Sequence, residues 1–436
     1  MTRCGFPFDS KLWSSFVMEN RKKKILSWAL YDWANSTYST TVMAGFFPVF
    51  FKMYWSQGVD ATVSTARLGT AISISSLVIA FMSPTLGVVA DLRGLKKLFC
   101  LSFMLIGVIA CGWMTFIPLG DWWNAIMAYS IAMMAFNASC VFYESLMPFV
   151  AEPKEMDYVS SLGYALGYLG GGILFLINVL MHLFPEWFGL RDGVQAVQVS
   201  FMTVAVWWFV FSIPLARNVP EPAVPVSKDN IWKLTNRSIL TLQATFKELM
   251  TKERNLLIFM IAYWMYIDGV YTVMTMAVDY GMSIGLGSKD LIAALLITQF
   301  IGFPCAYYFG TVTKRFGAKL PVLVCIGIYS VTVVAAMWMS QAWHFYLLAV
   351  IIGMVQGGVQ SLSRSLFGKM APKHQSGEYF GLFNLVGRFA SILGPLIVAF
   401  TVTITGNSRV GMVGLLLLFI VGGGLLMKVK EPQEHG

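Results

Sequence analysis

Charge is what this sequence has least of. Only 12% of its 436 residues are Asp, Glu, Lys or Arg, about half the share of an ordinary soluble domain, whereas 57% are hydrophobic and 15% aromatic. That balance excludes a water-soluble globular chain. Cysteine is scarce too: Cys4, Cys100, Cys111, Cys140, Cys305 and Cys325 are scattered, with no C-x-x-C pair, which excludes a zinc site and a disulfide framework. Neither a G-x-x-x-x-G-K-[ST] phosphate loop nor an H-E-x-x-H motif occurs, so nucleotide hydrolysis and zinc proteolysis by those routes are excluded. The four histidines, His182, His344, His374 and His435, lie outside or at the ends of the apolar runs and leave no Ser/His pair for nucleophilic chemistry within a membrane. No enzyme, no metal and no cofactor is expected.

What the chain has in quantity is apolar runs of about 20 residues, long enough to cross roughly 30 Å of hydrocarbon as helices. Twelve are predicted, at residues 28–52, 67–90, 98–119, 122–148, 160–183, 194–216, 255–281, 290–313, 319–340, 343–368, 378–402 and 409–427. They imply an all-α integral membrane fold of twelve transmembrane helices in two six-helix bundles, 28–216 and 255–427. The flanking segments are an N-terminal stretch (1–27), a linker (217–254) and a tail (428–436). A formal charge of +9 would suggest nucleic acid in a soluble protein, but the location of the charges gives another reading. With the N-terminus in the cytoplasm, 24 of the 31 Lys and Arg face inward and five (Lys52, Arg67, Arg191, Lys289, Arg409) face outward. Both termini are therefore expected in the cytoplasm. The expected partners are the lipid bilayer and a small-molecule substrate, not nucleic acid, and the expected state is a monomer.

Residues 1–20 lack the apolar core and A-x-A exit of a cleavable signal, so the first span is expected to be its own insertion signal. Met18, ahead of the basic run Arg21 to Lys24, is an alternative start that would make residues 1–17 dispensable. Short loops and no targeting extension point to a bacterial cytoplasmic (inner) membrane.

The linker opens with Pro220, Pro222 and Pro225 and runs into a segment that reads as a basic amphipathic helix at the membrane surface. It divides the spans six and six, which invites a search for a repeat. Gly87-Val-Val-Ala-Asp91-Leu-Arg93-Gly94-Leu-Lys96, after span 2, matches Gly310-Thr-Val-Thr-Lys314-Arg-Phe-Gly317-Ala-Lys319, after span 8. Glu144-Ser-Leu in span 4 matches Arg364-Ser-Leu in span 10, and Trp28 and Asp32 in span 1 match Trp264 and Asp268 in span 7. Three matches in order, between spans of equal rank, predict a parallel repeat with a substrate site between the halves near mid-membrane.

In the first loop, Gly87 lets a neighbouring backbone approach, and Asp91 can accept hydrogen bonds from exposed amides at another helix's N-terminus. Arg93, Lys96 and Lys97 hold the loop inside. The chain here resembles the major facilitator superfamily, whose signature loops follow helices 2 and 8. The resemblance implies that Asp91 and Arg93, within the Gly87, Asp91, Arg93, Gly94 and Lys96 motif, form a conformational latch against the opposite half. Lys314 stands where the second copy would need an acid, so no equivalent second latch is expected.

Further motifs narrow the branch: Trp28-Ala-Leu-Tyr-Asp32-Trp33-Ala-Asn35-Ser36, Phe142-Tyr-Glu144-Ser-Leu-Met-Pro148, Gln356-Gly-Gly-Val-Gln360-Ser-Leu-Ser-Arg364 and Phe383-Asn384-Leu-Val-Gly-Arg388. From about residue 21 to 427 the chain resembles the branch that contains the vacuolar amino-acid effluxers linked to autophagy and their bacterial relatives.

Ionisable groups inside spans cost roughly 2.5 to 3.5 kcal/mol each at a helix centre and therefore face a cavity or a partner. Asp32, Glu144, Asp268, Asp279, Arg364 and Arg388 qualify. Asp268, deep in span 7, is the candidate proton carrier, and Asp32 is a second coupling candidate; Arg388 in span 11 is the candidate partner of Asp268 or an anion-binding group. Glu144 and Arg364, at matching repeat positions with opposite charge, are expected to pair and gate the inward side. If spans 1, 4, 7 and 10 line the cavity, Asn35, Tyr38, Asn137, Tyr143, Trp264, Tyr266, Tyr271, Gln356 and Gln360 are its candidate lining, suited to a small amphiphilic solute. Gly163, Gly167 and Gly171 are expected to serve close helix packing. The function that results is secondary active transport by alternating access, coupled to protons, with amino acids favoured by the resemblance. A uniporter, a carrier of sugars, peptides or metal-chelating metabolites, and a non-transporting sensor are the alternatives.

Overall fold

The computed structural model describes residues 10–223, 231–283, 288–339, 341–390, 392–405 and 408–432. The first half comprises α1 (Ser10–Thr37), α2 (Ala61–Arg93), α3 (Lys96–Met114), α4 (Trp122–Ser145), α5 (Met156–Leu183) and α6 (Gly193–Asn218). A linker helix, α7 (Ile231–Thr251), follows. The second half comprises α8 (Arg254–Ser283), α9 (Ser288–Phe316), α10 (Lys319–Ala335), α11 (Ala342–Met370), α12 (Ser376–Phe389), α13 (Leu393–Thr405), α14 (Ser408–Val413) and α15 (Leu416–Lys428). Among the described residues, nine helices are long and apolar enough to cross a membrane.

The first, eleventh and twelfth expected spans are those that differ from a plain helix. The first begins at Ser10 and not near residue 28, because Glu19 and Arg21 to Lys24 favour helix and carry it beyond the apolar stretch. Its far end winds in wider turns over Tyr38–Phe46 and Phe51–Trp55, with N–H groups donating five residues back, Phe47 to Val42 and Ser56 to Phe51. Pro48 lies between these stretches and has no N–H for an ordinary turn. The eleventh span is broken into α12 and α13. Pro395 sits in the first turn of α13, where its missing N–H is harmless and its ring excludes the carbonyl four residues back. The twelfth is likewise divided into α14 and α15.

The two halves repeat one another in a way that the local motifs understate. Glu221, after α6, accepts from the N–H groups of Lys97 and Leu98 at 2.9 and 3.1 Å, and the Lys97 ammonium donates to the Ala216 carbonyl at 3.2 Å. In the second half Glu431 accepts from Ala318 and Lys319 at 2.7 and 3.2 Å, and the Lys319 ammonium donates to the Met427 carbonyl at 2.7 Å. Each glutamate ties the last helix of its half to an otherwise unsatisfied helix start. Both are followed by proline, Glu221-Pro222 and Glu431-Pro432, a signal that sequence reading passed over.

Between the halves, α2 packs on α12, and α5 packs on α9 and α11. The linker helix lies against α2 and buries Ser238, Thr245 and Leu249. Within the first half, α5 lies against α1 along the expected glycine stripe. A Cβ on Gly163, Gly167 or Gly171 would stand 2.5 Å from Asp32 Oδ2, 2.6 Å from Ser36 Oγ or 2.8 Å from Thr40 Oγ1. Gly167→Val should therefore destabilise the protein by about 1–3 kcal/mol through overpacking, read as a lower melting temperature in detergent. A melting temperature equal to wild type would show that the two helices have slack.

Candidate functional site: an ion-paired centre and a latch between the halves

Arg364 lies within α11 and is only 2% exposed. A cation so placed is tolerated only when its donors are satisfied, and here they are. Nη1 and Nη2 each donate to Asp32 Oδ2 at 3.1 Å, Nε donates to Ser160 Oγ at 2.9 Å, and Nη2 donates to the Ser160 carbonyl at 2.9 Å. The guanidinium lies 4.3 Å from the centre of the Tyr164 ring, 5.1 Å from Trp28 and 5.6 Å from Tyr143, so aromatic faces supply the rest of its environment. Tyr143 also donates its hydroxyl to Asp32 Oδ2 at 2.9 Å, while Trp28 stacks on it with ring centres 4.3 Å apart.

The expected Glu144–Arg364 pair is present, with Glu144 Oε1 4.0 Å from Nη1, and the structure adds Asp32 as a second and nearer partner. Glu144 Oε2 also accepts from Asn384 Nδ2 on α12 at 2.9 Å. Repeat symmetry paired α4 with α11 and gave no hint that α1 comes nearer.

Below this centre the halves are joined by contacts that the sequence reading missed. Lys369 pairs with Asp157 at 2.9 Å, both almost fully buried, and Ser365 Oγ donates to the same carboxylate. Ser160 Oγ donates to the Ser361 carbonyl at 2.7 Å, Ser161 Oγ meets Ser361 Oγ at 3.1 Å, and Tyr168 donates to Gln360 Oε1 at 3.1 Å. Asp157 and Lys369 sit at helix ends, where a charge reads as topogenic, and only the approach of α5 to α11 distinguishes them from loop charges.

At the same end, Asp91 accepts from the N–H groups of Gly377 and Glu378 at 3.1 and 2.8 Å and pairs with the buried Lys96 ammonium. These are the exposed amides at the start of α12, where a carboxylate is favoured by both hydrogen bonding and the helix dipole. Gly87 makes the approach possible: a Cβ there would lie 2.2 Å from the Gly377 carbonyl oxygen. Gly94 takes φ +63°, which turns α2 into α3, and Arg93 ends α2 partly buried. In the second copy Lys314 is exposed, and that loop is held by Glu431 instead.

Asp268 is fully buried and has a structural task. Its Oδ2 accepts from Leu393 N–H at 3.0 Å, and its Oδ1 from Gly394 N–H at 2.8 Å and Thr272 Oγ1 at 3.2 Å. It caps the helix that begins after the break. Its expected partner Arg388, and Asp279, lie outside the residues whose side chains are described.

The candidate lining divides. Tyr38 is fully buried inside the first half against Phe136 and Trp208, so the cavity role expected for it is corrected: its ring is enclosed by α4 and α6 of its own half. Tyr266 bonds Ser363 at 2.6 Å within the second half, and Asn35 Nδ2 meets Cys140 Sγ at 3.7 Å within the first. Gln356 is buried with no hydrogen bond to Oε1, and the Trp264 Nε1 is likewise buried without one. Asn137 is buried and Tyr271 partly so.

The family model described as "Vacuole effluxer Atg22 like" matches residues 61–435. The chain belongs to the Atg22-like family. Its sequence is similar to the MFS-type transporter YxiO of Bacillus subtilis (strain 168), 37% identical over 96% of this chain and 97% of that one. It is also similar to autophagy-related protein 22-2 of Aspergillus clavatus, 26% identical over 62% of this chain and 47% of the relative, so the match spans about half of that fungal protein. The fold is similar to that of the major facilitator superfamily transporter FucP in the outward conformation. The TM-score is 0.70 at 11% identity, covering 94% of this chain and 99% of the other. The chain is thus an integral, multi-pass membrane protein of the major facilitator fold, and its family and fold neighbours are transporters, not enzymes.

Two consequences of the geometry are open to measurement. Asp91→Ala removes two charge-assisted contacts to α12 and should shift the balance away from the latched state about ten-fold or more, read as longer distances between spin labels on the inner ends of α2 and α12; unchanged distances would deny the latch. Arg364→Ala strands a buried Asp32 and should cost about 3–5 kcal/mol, whereas the Asp32→Asn/Arg364→Gln double variant should cost less. Additive losses in melting temperature would show that the pair is not energetically coupled.

Proposed function

We propose that this Atg22-like protein is a secondary active transporter that moves a small organic solute by alternating access, with amino acids as the substrate class and protons as the coupling ion. The observation that carries the reading is the Asp32–Arg364 pair, buried between the halves on one helix from each. Such a pair holds the halves together when made and frees them when broken, which is the event that alternating access needs. Gln299 donates to Thr40 Oγ1 at 3.3 Å on the far side of the pair, but most of the interhalf hydrogen bonds run from the pair to the Asp91 end. The positive-inside count assigns that end to the cytoplasm, so the conformation is read as closed to the cytoplasm, with both termini there. A bacterial cytoplasmic membrane is favoured by the likeness to a Bacillus relative.

Proton coupling is argued from Asp32 and Glu144, two carboxylates that share one guanidinium. Protonating one weakens its hold on Arg364 and lets the halves part. Asp268 serves the mechanism less well as a proton carrier, because its carboxylate already satisfies backbone amides that have no other acceptor. Amino acids are favoured by the family resemblance. They are also favoured by a centre in which aromatic faces adjoin groups of both signs, a setting that suits a zwitterion with an apolar part.

Counterflow of radiolabelled amino acids, pooled by class, into proteoliposomes tests the substrate class. Saturable uptake that an imposed pH gradient drives to accumulation is the expected result. Asp32→Asn should keep exchange and lose accumulation. Uptake indifferent to the gradient would remove proton coupling, and absence of counterflow from folded protein would remove amino acids and redirect the search to sugars, peptides and metal-chelating metabolites.

A further inference from the structure

At the latch end three ammonium groups from three different segments gather around one residue, Phe149. Lys24, near the start of the first membrane helix, donates to the Phe149 carbonyl at 2.5 Å. Lys96, at the start of α3, lies 4.8 Å from the centre of the Phe149 ring, and Lys373, in the connection between α11 and α12, lies 5.3 Å from it. Lys96 is neutralised by Asp91. The nearby acids are engaged elsewhere: Arg21 pairs with Glu152 and Glu155 at 3.0 and 2.5 Å, and Lys154 pairs with Glu152 at 3.2 Å. Among the described residues, no ion pair is made by Lys24 or Lys373. Partial burial first, and then the charges of Lys373 and Arg21, lower the Lys24 ammonium below the usual lysine range, which accords with the two lysines standing near one another.

We propose that Lys24 and Lys373 form a binding site for a phosphate-bearing anion, which bridges the first half to the second and holds the latch end closed. An ammonium has three donors, and Lys24 uses one on Phe149, so further donors on each lysine can reach the several oxygens of one phosphate group. Lys24 stands four residues, about 6 Å of helix, outside the apolar span that begins at residue 28. That is the depth of the lipid headgroups, whose layer adds roughly 5–7 Å to each side of the hydrocarbon. The same chemistry is offered by a phospholipid headgroup and by a free phosphate. The proposal does not depend on the transported solute, because its readout is binding.

The test compares the melting temperature of the purified full chain in discs of phosphatidylcholine alone, with added phosphatidylglycerol, and with millimolar inorganic phosphate. Wild type should be stabilised by at least one of the two anions. Lys24→Gln/Lys373→Gln should lose that stabilisation, with an apparent affinity about 30-fold lower at roughly 1 kcal/mol for each lysine. Lys22→Gln/Lys23→Gln, which removes the same charge from exposed positions on the same helix, should keep it, as should Lys24→Arg/Lys373→Arg. Should the double Gln variant fail to fold, Lys373→Gln alone, at an exposed side chain, carries the comparison. Stabilisation by phosphatidylglycerol only assigns a lipid headgroup, and stabilisation by both assigns a phosphate site open to soluble anions. Absence of stabilisation in wild type, or an equal loss in the Lys22/Lys23 control, would overturn the site in favour of diffuse surface charge.

Discussion

The arrangement turns on one buried cation. A guanidinium buried between two helical bundles is withdrawn from bulk solvent, so the groups around it must supply hydrogen bonds or aromatic faces. Asp32 and Ser160 come from the first half and Arg364 from the second. Satisfying the charge therefore means closing the halves, and opening them means finding a replacement for Asp32. A buried pair of this kind contributes little net stability compared with an apolar substitute. On the proposed function, its use is to be made in one arrangement of the halves and unmade in the other.

A second regularity lies in the carboxylates that face backbone. Asp91 holds the start of α12, Asp268 the start of α13, Glu221 the start of α3 and Glu431 the start of α10. Helix starts expose N–H groups that have no intrahelical partner, and where lipid or protein surrounds them a fixed carboxylate is the available acceptor. Two of these acids act within a half and make it rigid. Asp268 also acts within its half, at the break. Asp91 alone of the four reaches across the interface, so the same chemistry ties a half to itself in three places and one half to the other in the fourth.

Much of this was legible from the residues. Hydropathy located the membrane-crossing helices because length and apolarity are local properties. The Gly87 to Lys96 motif led to a carboxylate on foreign helix amides, because glycine and aspartate at that spacing have few other uses. The Glu144–Arg364 expectation reached the pair but not the nearer Asp32, because symmetry relates positions within the repeat but does not say which helix of the other half stands closest to them. Asp157 and Lys369 escaped notice because a charge at a helix end is ordinary until another helix covers it. The bonds from Asp268 to the Leu393 and Gly394 amides are not legible from the sequence, because a break in a distant helix cannot be seen from the span that contains the aspartate.

That break bears on how the halves could separate. The segment α12 is fastened to the first half by Asp91, Glu144 and the Ser376 bond to the Ser145 carbonyl. The segment α13 is fastened to α8 by Asp268. One continuous helix would transmit any displacement at the latch directly to its far end. Interrupted between Phe389 and Leu393, the two segments are fastened to different halves, and on the proposed function α13 stays on α8 while α12 leaves α2. Asp268, fully buried with three acceptor contacts, holds the α13 side of that break on α8.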